Sequence, residues 1–218
     1  MQLVIGNKNY SSWSLRPWLL MTYFALPFEE VRIPLDSDEF HASLSQYTAA
    51  GKVPVLIDQG VEIWDSLAIC EYLSEQYLDN QGWPTDPVAR AQARSASAEM
   101  HSSFMAVRSH MPMNCRRSRI ISFTQAVLDE IQRIDQLWSQ LRSSYGAQGE
   151  FLFGAFSIAD CMYAPMVARF NSYQPQLGES SARYVQTVLN LPAMQQWYAQ
   201  AAQETEVLQN EEVGQDRI

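Results

Sequence analysis

GKVPVLIDQGVEIWDSLAICEYL, residues 51–73, changes its hydrophobic period halfway along. Residues 53–57 and 61–64 are two brief apolar-rich runs, and Asp58, Gln59 and Gly60 between them have the composition of a hairpin turn. After Asp65 and Ser66 the apolar positions Leu67, Ile69, Cys70, Tyr72, Leu73 and Tyr77 form a helix face. Pro54 cannot donate to a strand ladder, so it must open the first strand or lie on an edge. Two strands feeding a helix make half of a small α/β layer, and the other half has to lie upstream.

It does. Residues 2–6 are a β-rich run ended by Gly6, and after a polar segment Leu15, Trp18, Leu19, Thr22 and Tyr23 take helical spacing. Leu26 and Pro27 close that helix, residues 28–33 alternate as a half-buried strand does, and residues 40–47 suit a short second helix. The order is β-α-β-α-β-β-α, a compact α/β layer over residues 1–78. Residues 79–87, with Asn80, Gly82, Pro84 and Pro87, read as a linker. Beyond them strand signals vanish. Residues 88–110 and 123–145 are long helix-periodic segments, 157–171 is nearly all apolar and so predicts a buried helix, and 182–189 and 193–203 predict shorter ones, the last opened by Pro192. Residues 88–218 are therefore expected to form an all-α helical bundle.

Composition narrows the function. Of 218 residues 47% are hydrophobic and 11% aromatic, enough for a packed core. No apolar run reaches the ~20 residues of a bilayer span and no signal-peptide pattern opens the chain, so a cytoplasmic protein without a membrane partner is expected. The net charge of −9 argues against nucleic acid, although Arg116, Arg117 and Arg119 form a local basic knot that reads as a solvated helix start or a subunit contact. Cys70, Cys115 and Cys161 are scattered over expected helices or their ends and suggest neither a disulfide framework nor a zinc site. No metal is expected. Phosphate-loop, dinucleotide, His-Glu metal and Gly-x-Ser-x-Gly patterns are all missing.

Four short motifs remain. In SSWSLRP, residues 11–17, Pro17 places a helix start near residues 12–14, which puts the Ser11 and Ser12 hydroxyls at a helix N-terminus. Free N–H groups there favour an anion such as a thiolate, although either serine alone also reads as a cap. In GKVPVLID a cis Val53–Pro54 bond would turn Val53 outward to pair with an extended peptide, and Lys52 beside it suits a peptide carboxylate. Asp65 and Ser66 open the helix after residue 64, where they suit an amino-acid head group or act as plain caps. In FSIAD, residues 156–160, Ser157 and Asp160 have capping-box spacing and are read as structural. His101, Phe104, Met105 and Arg108 lie together on the first long helix and are candidates to border a pocket.

The order SSWSLRP, KVPVL, WDSLAICEYL, linker, FSIAD resembles the cytosolic glutathione transferases over nearly the whole chain. The resemblance implies a thioredoxin-like first domain whose redox cysteines are replaced, a helical electrophile-binding second domain, and a homodimer. It implies that Ser11, with Ser12 as substitute, activates the glutathione thiol. It further implies that Val53, before a cis Pro54, pairs with the cysteinyl backbone, that Asp65 and Ser66 hold the γ-glutamyl end and, more loosely, that Lys52 holds the glycine carboxylate. On the same resemblance glutathione is the expected co-substrate, and no tightly bound cofactor is expected. The serine-rich start is similar to the zeta class, whose members isomerise maleylacetoacetate; here Trp13 stands where that class has a cysteine. The expected function is thiol attack on a small electrophile, with glutathione-dependent isomerisation, or a non-catalytic interaction protein of the same fold, as alternatives.

Overall fold

The computed structural model describes residues 1–217. Strands β1 (Gln2–Ile5), β2 (Glu29–Arg32), β3 (Val55–Asp58) and β4 (Val61–Trp64) form one mixed sheet in the order β2-β1-β3-β4. β1 is parallel to β2 and antiparallel to β3, which pairs antiparallel with β4. Gln59 and Gly60 join β3 to β4 with φ of 48° and 82°, the left-handed geometry that suits a two-residue hairpin to right-handed strand twist. Side chains alternate across the sheet. Leu3, Ile5 and Leu56 enter the main core, whereas Val4 and Val55 join Ile33 and Leu44 in a small second one. Helix α2 (Phe40–Leu44) covers that second face, while α1 (Ser12–Tyr23) and α3 (Ser66–Tyr77) cover the first.

The helical half comprises α4 (Pro87–Ser102), α5 (Met105–His110), α6 (Gln125–Tyr145), α7 (Ile158–Tyr173), α8 (Glu179–Leu189) and α9 (Pro192–Ala201). This is the α/β thioredoxin-like layer followed by a helical bundle that the sequence predicts. The two halves share one core, which runs from Leu3 to Trp197. α1 packs on α7 and α9, with the Trp18 and Trp197 rings 5.0 Å apart edge to face. α7 is buried because α1, α4 and α8 surround it, which is why its sequence is nearly all apolar.

The start of α7 is a buried polar knot. Ser157 and Asp160 form a capping box. The fully buried Asp160 carboxylate accepts from the Ser157 N–H (2.8 Å) and hydroxyl (3.1 Å), the Leu152 N–H (3.1 Å) and the Tyr184 hydroxyl (3.0 Å). It thereby satisfies a helix end that water cannot reach. Burial pushes its pKa up to about 6 against the pull of those donors.

Five expectations need correction. The single helix over 88–110 breaks after Ser102, because Phe104 adopts left-handed geometry (φ 60°) with its ring buried. The break lets the Glu130 carboxylate cap α5 by accepting from the Ala106 and Val107 N–H groups, at 3.2 and 2.7 Å. Strands do not end at the linker: β5 (Arg119–Ile120) pairs with β6 (Gln215–Asp216), a two-residue contact too short to leave a periodic signal. The basic knot starts no helix. Arg116 and Arg119 instead tether the C-terminal segment, Arg116 through the Glu206 carbonyl (2.7 Å) and Arg119 through Glu212 (2.8 Å) and Asp216 (2.6 Å). Cys115 lies in the loop before β5 rather than in a helix. β2 is an edge strand, and Glu29, Glu30 and Arg32 are exposed rather than alternating in burial.

Candidate active site

At one end of the sheet the start of α1, the loop before β3 and the start of α3 converge. They form a cleft of two joined chambers, which share Trp13, Lys52 and Val53. The first, about 600 Å³, is lined by Lys52, Val53, Pro54, Trp64, Asp65, Ser66 and His101. The second, about 440 Å³, is lined by Ser11, Ser12, Met105, Arg108, Arg169 and Glu211 among others.

Ser11 is the N-cap of α1, yet its hydroxyl caps no backbone group; it lies 2.7 Å from the Ser14 hydroxyl, which accepts from the Gly6 N–H at 3.2 Å. Among the described residues the Trp13 and Ser14 N–H groups have no acceptor, so the helix start offers free donors beside two serine hydroxyls. Pro17 lies beyond the first turn, and the helix runs through it.

The α3 start is built differently. Asp65 caps it, one oxygen accepting from the Leu67 and Ala68 N–H groups at 2.9 and 3.2 Å while the other faces His101 Nε2 at 3.2 Å. Asp65 has φ 77°, a geometry costing on the order of 1–3 kcal/mol for a residue other than glycine. The double cap offsets that strain. Ser66 is buried, and its oxygen accepts from Arg16 at 3.2 Å, which leaves its own proton free for the chamber. Between the two helix starts the Val53–Pro54 bond is cis. Among the described residues, the Val53 N–H and C=O make no backbone hydrogen bond.

Trp13 divides the chambers. The Arg16 and Arg108 guanidinium groups lie 4.2 and 4.7 Å from its ring centre, and His101 meets it edge to face at 5.1 Å. Arg16 and Arg169 are buried, each with an unpartnered Nε, and Arg169 otherwise bonds the Pro165 carbonyl of its own helix. Among the described residues no carboxylate comes within 4.0 Å of Arg16, Arg108 or Arg169. Burial, and then their mutual repulsion, pulls Arg16 down to about 9 and Arg169 down to about 10; burial also lowers Arg108. Uncompensated buried positive charge is costly, and an incoming anion relieves it.

The structure thus brings Ser11, Ser12, Lys52, Val53, Asp65, Ser66, His101, Met105 and Arg108 to one cleft. Phe104 is apart from them, only 4% exposed and packed in the core. Pro54 lines the first chamber, whereas Ser157 and Asp160 sit in the core of the helical half. Sequence reasoning overlooked Trp13, Arg169 and Glu211 as parts of the cleft, and Arg16 as the buried cation behind Trp13 and Ser66. Two had a signal: Arg16 stands three residues after Trp13, at stacking distance on a helix, and Arg169 is the one cation in an apolar helix. Glu211 had none.

Comparisons with known proteins agree with this fold. Residues 10–76 match the family described as glutathione S-transferase, N-terminal domain, and residues 121–200 match glutathione S-transferase, C-terminal domain. A probable maleylacetoacetate isomerase of Caenorhabditis elegans is 27% identical over 193 residues, covering 85% of this chain and 87% of that protein. Two solved structures share the fold. One is a glutathione transferase homolog from Burkholderia gl BGR1 with bound glutathione (TM-score 0.69, 24% identity, 92% of this chain and 96% of that one). The other is a maleyl pyruvate isomerase, a bacterial zeta-class glutathione S-transferase (TM-score 0.70, 19% identity, 95% and 100%). With both domain matches in the expected order, the chain belongs to the glutathione S-transferase family. It is accordingly an enzyme, of the glutathione-dependent transferase or isomerase kind.

Proposed function

We propose that the protein binds glutathione in the first chamber, holds its sulfur as thiolate at the start of α1, and presents it to a carboxylate-bearing electrophile in the second. The observation that carries this reading is the cluster of Arg16, Arg108 and Arg169 without a carboxylate within 4.0 Å, in a chain of net charge −9. A protein rich in carboxylates that leaves Arg108 and Arg169 without a carboxylate on a chamber wall, with Arg16 buried behind it, is built to receive an anion.

The roles follow from the geometry. The γ-glutamyl carboxylate takes the Ser66 hydroxyl and the α3 N-terminus, the ammonium group takes Asp65, and the Val53 backbone pairs with the cysteinyl residue. Lys52 suits the glycine carboxylate. Ser11 is the thiolate donor. The Ser11 and Ser14 hydroxyls are 2.7 Å apart and either can donate; in the arrangement where Ser14 donates, the Ser11 proton is left to donate to sulfur. Ser12 shares the chamber and is the substitute. The Burkholderia homolog with bound glutathione supports glutathione as the co-substrate.

Isomerisation is a second reading, which the arginine cluster and the maleylacetoacetate isomerase relative favour together. The thiolate adds to a double bond of an unsaturated carboxylate, the new single bond rotates, and elimination restores the double bond and free glutathione. Conjugation consumes glutathione and isomerisation returns it, so following free thiol through turnover separates the two.

The test of the arginine cluster is Arg169→Met, which keeps the side chain's bulk and removes its charge. KM for a carboxylate-bearing electrophile is expected to rise by about ten- to a hundredfold, as losing a charge-assisted bond implies. A neutral electrophile should change by less than about threefold on the same basis. Equal losses on both would sink the anion reading.

The division at residues 79–87 separates a glutathione-binding half, residues 1–78, from an electrophile-binding half, residues 88–218. A cytoplasmic location is supported by three free thiols, and a homodimer by the exposed Val61 on edge strand β4, which offers apolar surface to a second copy. Sedimentation of a single 25 kDa species would refute the dimer.

A further inference from the structure

Glu211 is a carboxylate that the C-terminal segment delivers to the second chamber. It ends the short helical turn Gln209–Glu211, in a strap that folds back over the N-terminal half. The strap is tied down on both sides of Glu211. Before it, Arg116 donates to the Glu206 carbonyl at 2.7 Å. After it, Glu212 accepts from the Tyr10 hydroxyl at 2.6 Å and from Arg119 at 2.8 Å, and β6 pairs with β5. Glu211 itself is left loose: among the described residues its carboxylate makes no hydrogen bond and no ion pair within 4.0 Å. It still feels Arg169, whose attraction opposes the upward shift that burial gives the Glu211 carboxyl.

A glutamate meant only to neutralise the arginine cluster would sit in contact with it, because contact is where the pairing energy lies. Glu211 shares the chamber with Arg169 but stands off beyond ion-pair distance. A ligand carboxylate bound to Arg169 therefore meets a negative charge already in place, and a second carboxylate on the same ligand meets it without a guanidinium of its own guaranteed.

We propose that Glu211 is a specificity-determining residue of the electrophile chamber, whose negative charge limits how many carboxylates the electrophile carries. This rests on the anion-binding reading above and adds to it a residue from the other end of the chain. Charges about 10 Å apart in a partly exposed cleft, at an effective dielectric near 20, change an equilibrium constant by roughly tenfold.

The test is calorimetric titration of the glutathione-saturated protein with succinate and with propionate, which carry two and one carboxylates and do not react with thiols. Glu211→Gln keeps shape and removes charge. It is expected to tighten both acids and to tighten succinate about tenfold more than propionate, because the second carboxylate adds one more repulsion of the same Coulomb scale, with glutathione affinity unchanged. Glu206→Gln removes the same charge from the same strap at a side chain that pairs with Arg32 outside this chamber, at 2.8 Å, and should change neither acid by more than about twofold. Unchanged or weaker succinate binding by Glu211→Gln overturns the assignment, and so does equal tightening by Glu206→Gln, which would make the effect one of net charge. If Glu211→Gln fails in either way while wild type binds succinate and Arg169→Met abolishes that binding, the anion reading stands and the Glu211 assignment alone falls. If neither wild type nor Glu211→Gln binds either acid, the anion reading fails with it.

Discussion

Ser11→Ala is expected to raise the pKa of enzyme-bound glutathione by roughly one to two units and to cut kcat/KM at neutral pH by about ten- to a hundredfold. The reasoning is electrostatic. A hydroxyl donating to a thiolate is a charge-assisted bond, worth about 1.5–3 kcal/mol in a site where it need not compete with water. Ser11 is 5% exposed, and its neighbour Ser14 is fixed by the Gly6 N–H, so the hydroxyl is oriented before the thiol arrives. The Trp13 and Ser14 N–H groups remain in the variant and keep part of the stabilisation. Loss should therefore be partial, and glutathione affinity should change little. Ultraviolet absorbance of the bound thiolate across pH reads the shift directly, and turnover reads the rate. Ser12→Ala is the control: if it, and not Ser11→Ala, carries the shift, the donor is Ser12 and the orientation argument from Ser14 is wrong.

Asp160→Ala is expected to destabilise the fold by about 3–5 kcal/mol, the range for breaking a buried charged hydrogen-bond network. Four donors converge on that carboxylate, and alanine would strand the Leu152 and Ser157 N–H groups where no water reaches. Chemical denaturation should show the loss as a lower midpoint with an unchanged slope. The pH dependence has a definite sign. Burial holds the folded pKa near 6, above the 3.8 of a free aspartate, so between those values the native state binds more protons than the unfolded one. The contribution of this group is then fully present below the unfolded pKa and declines as pH rises through about 6. The stability difference between wild type and variant is accordingly expected to narrow from about pH 4 to about pH 7.

How much of this was legible in the chain depended on the range of the interactions involved. The hairpin of residues 55–64 and the two helix starts at Ser12 and Ser66 are local: a Gly60 turn, a proline that cannot join a ladder and capping residues act within a few positions. Their signals were accordingly strong. The long helices announced themselves by period. The break at Phe104 did not, because left-handed geometry at a buried aromatic is selected by the core around it and by Glu130, some 25 positions away.

By itself, the sequence determined the α/β-then-helical order, the two anion-favouring helix starts and the proline between them, since each follows from residues adjacent in the chain. The tertiary structure alone decided that Ser11, Val53 and Ser66 face one cleft, that Arg16, Arg108 and Arg169 crowd beside it unpaired, and that residues 204–216 fold back to bring Glu211 there. The physical reason is that burial and charge compensation are properties of neighbours in space. A lone arginine in an apolar helix and a glutamate near the chain's end acquire meaning only when the packing of α7 against α1 and the return of the C-terminal segment bring both to the second chamber.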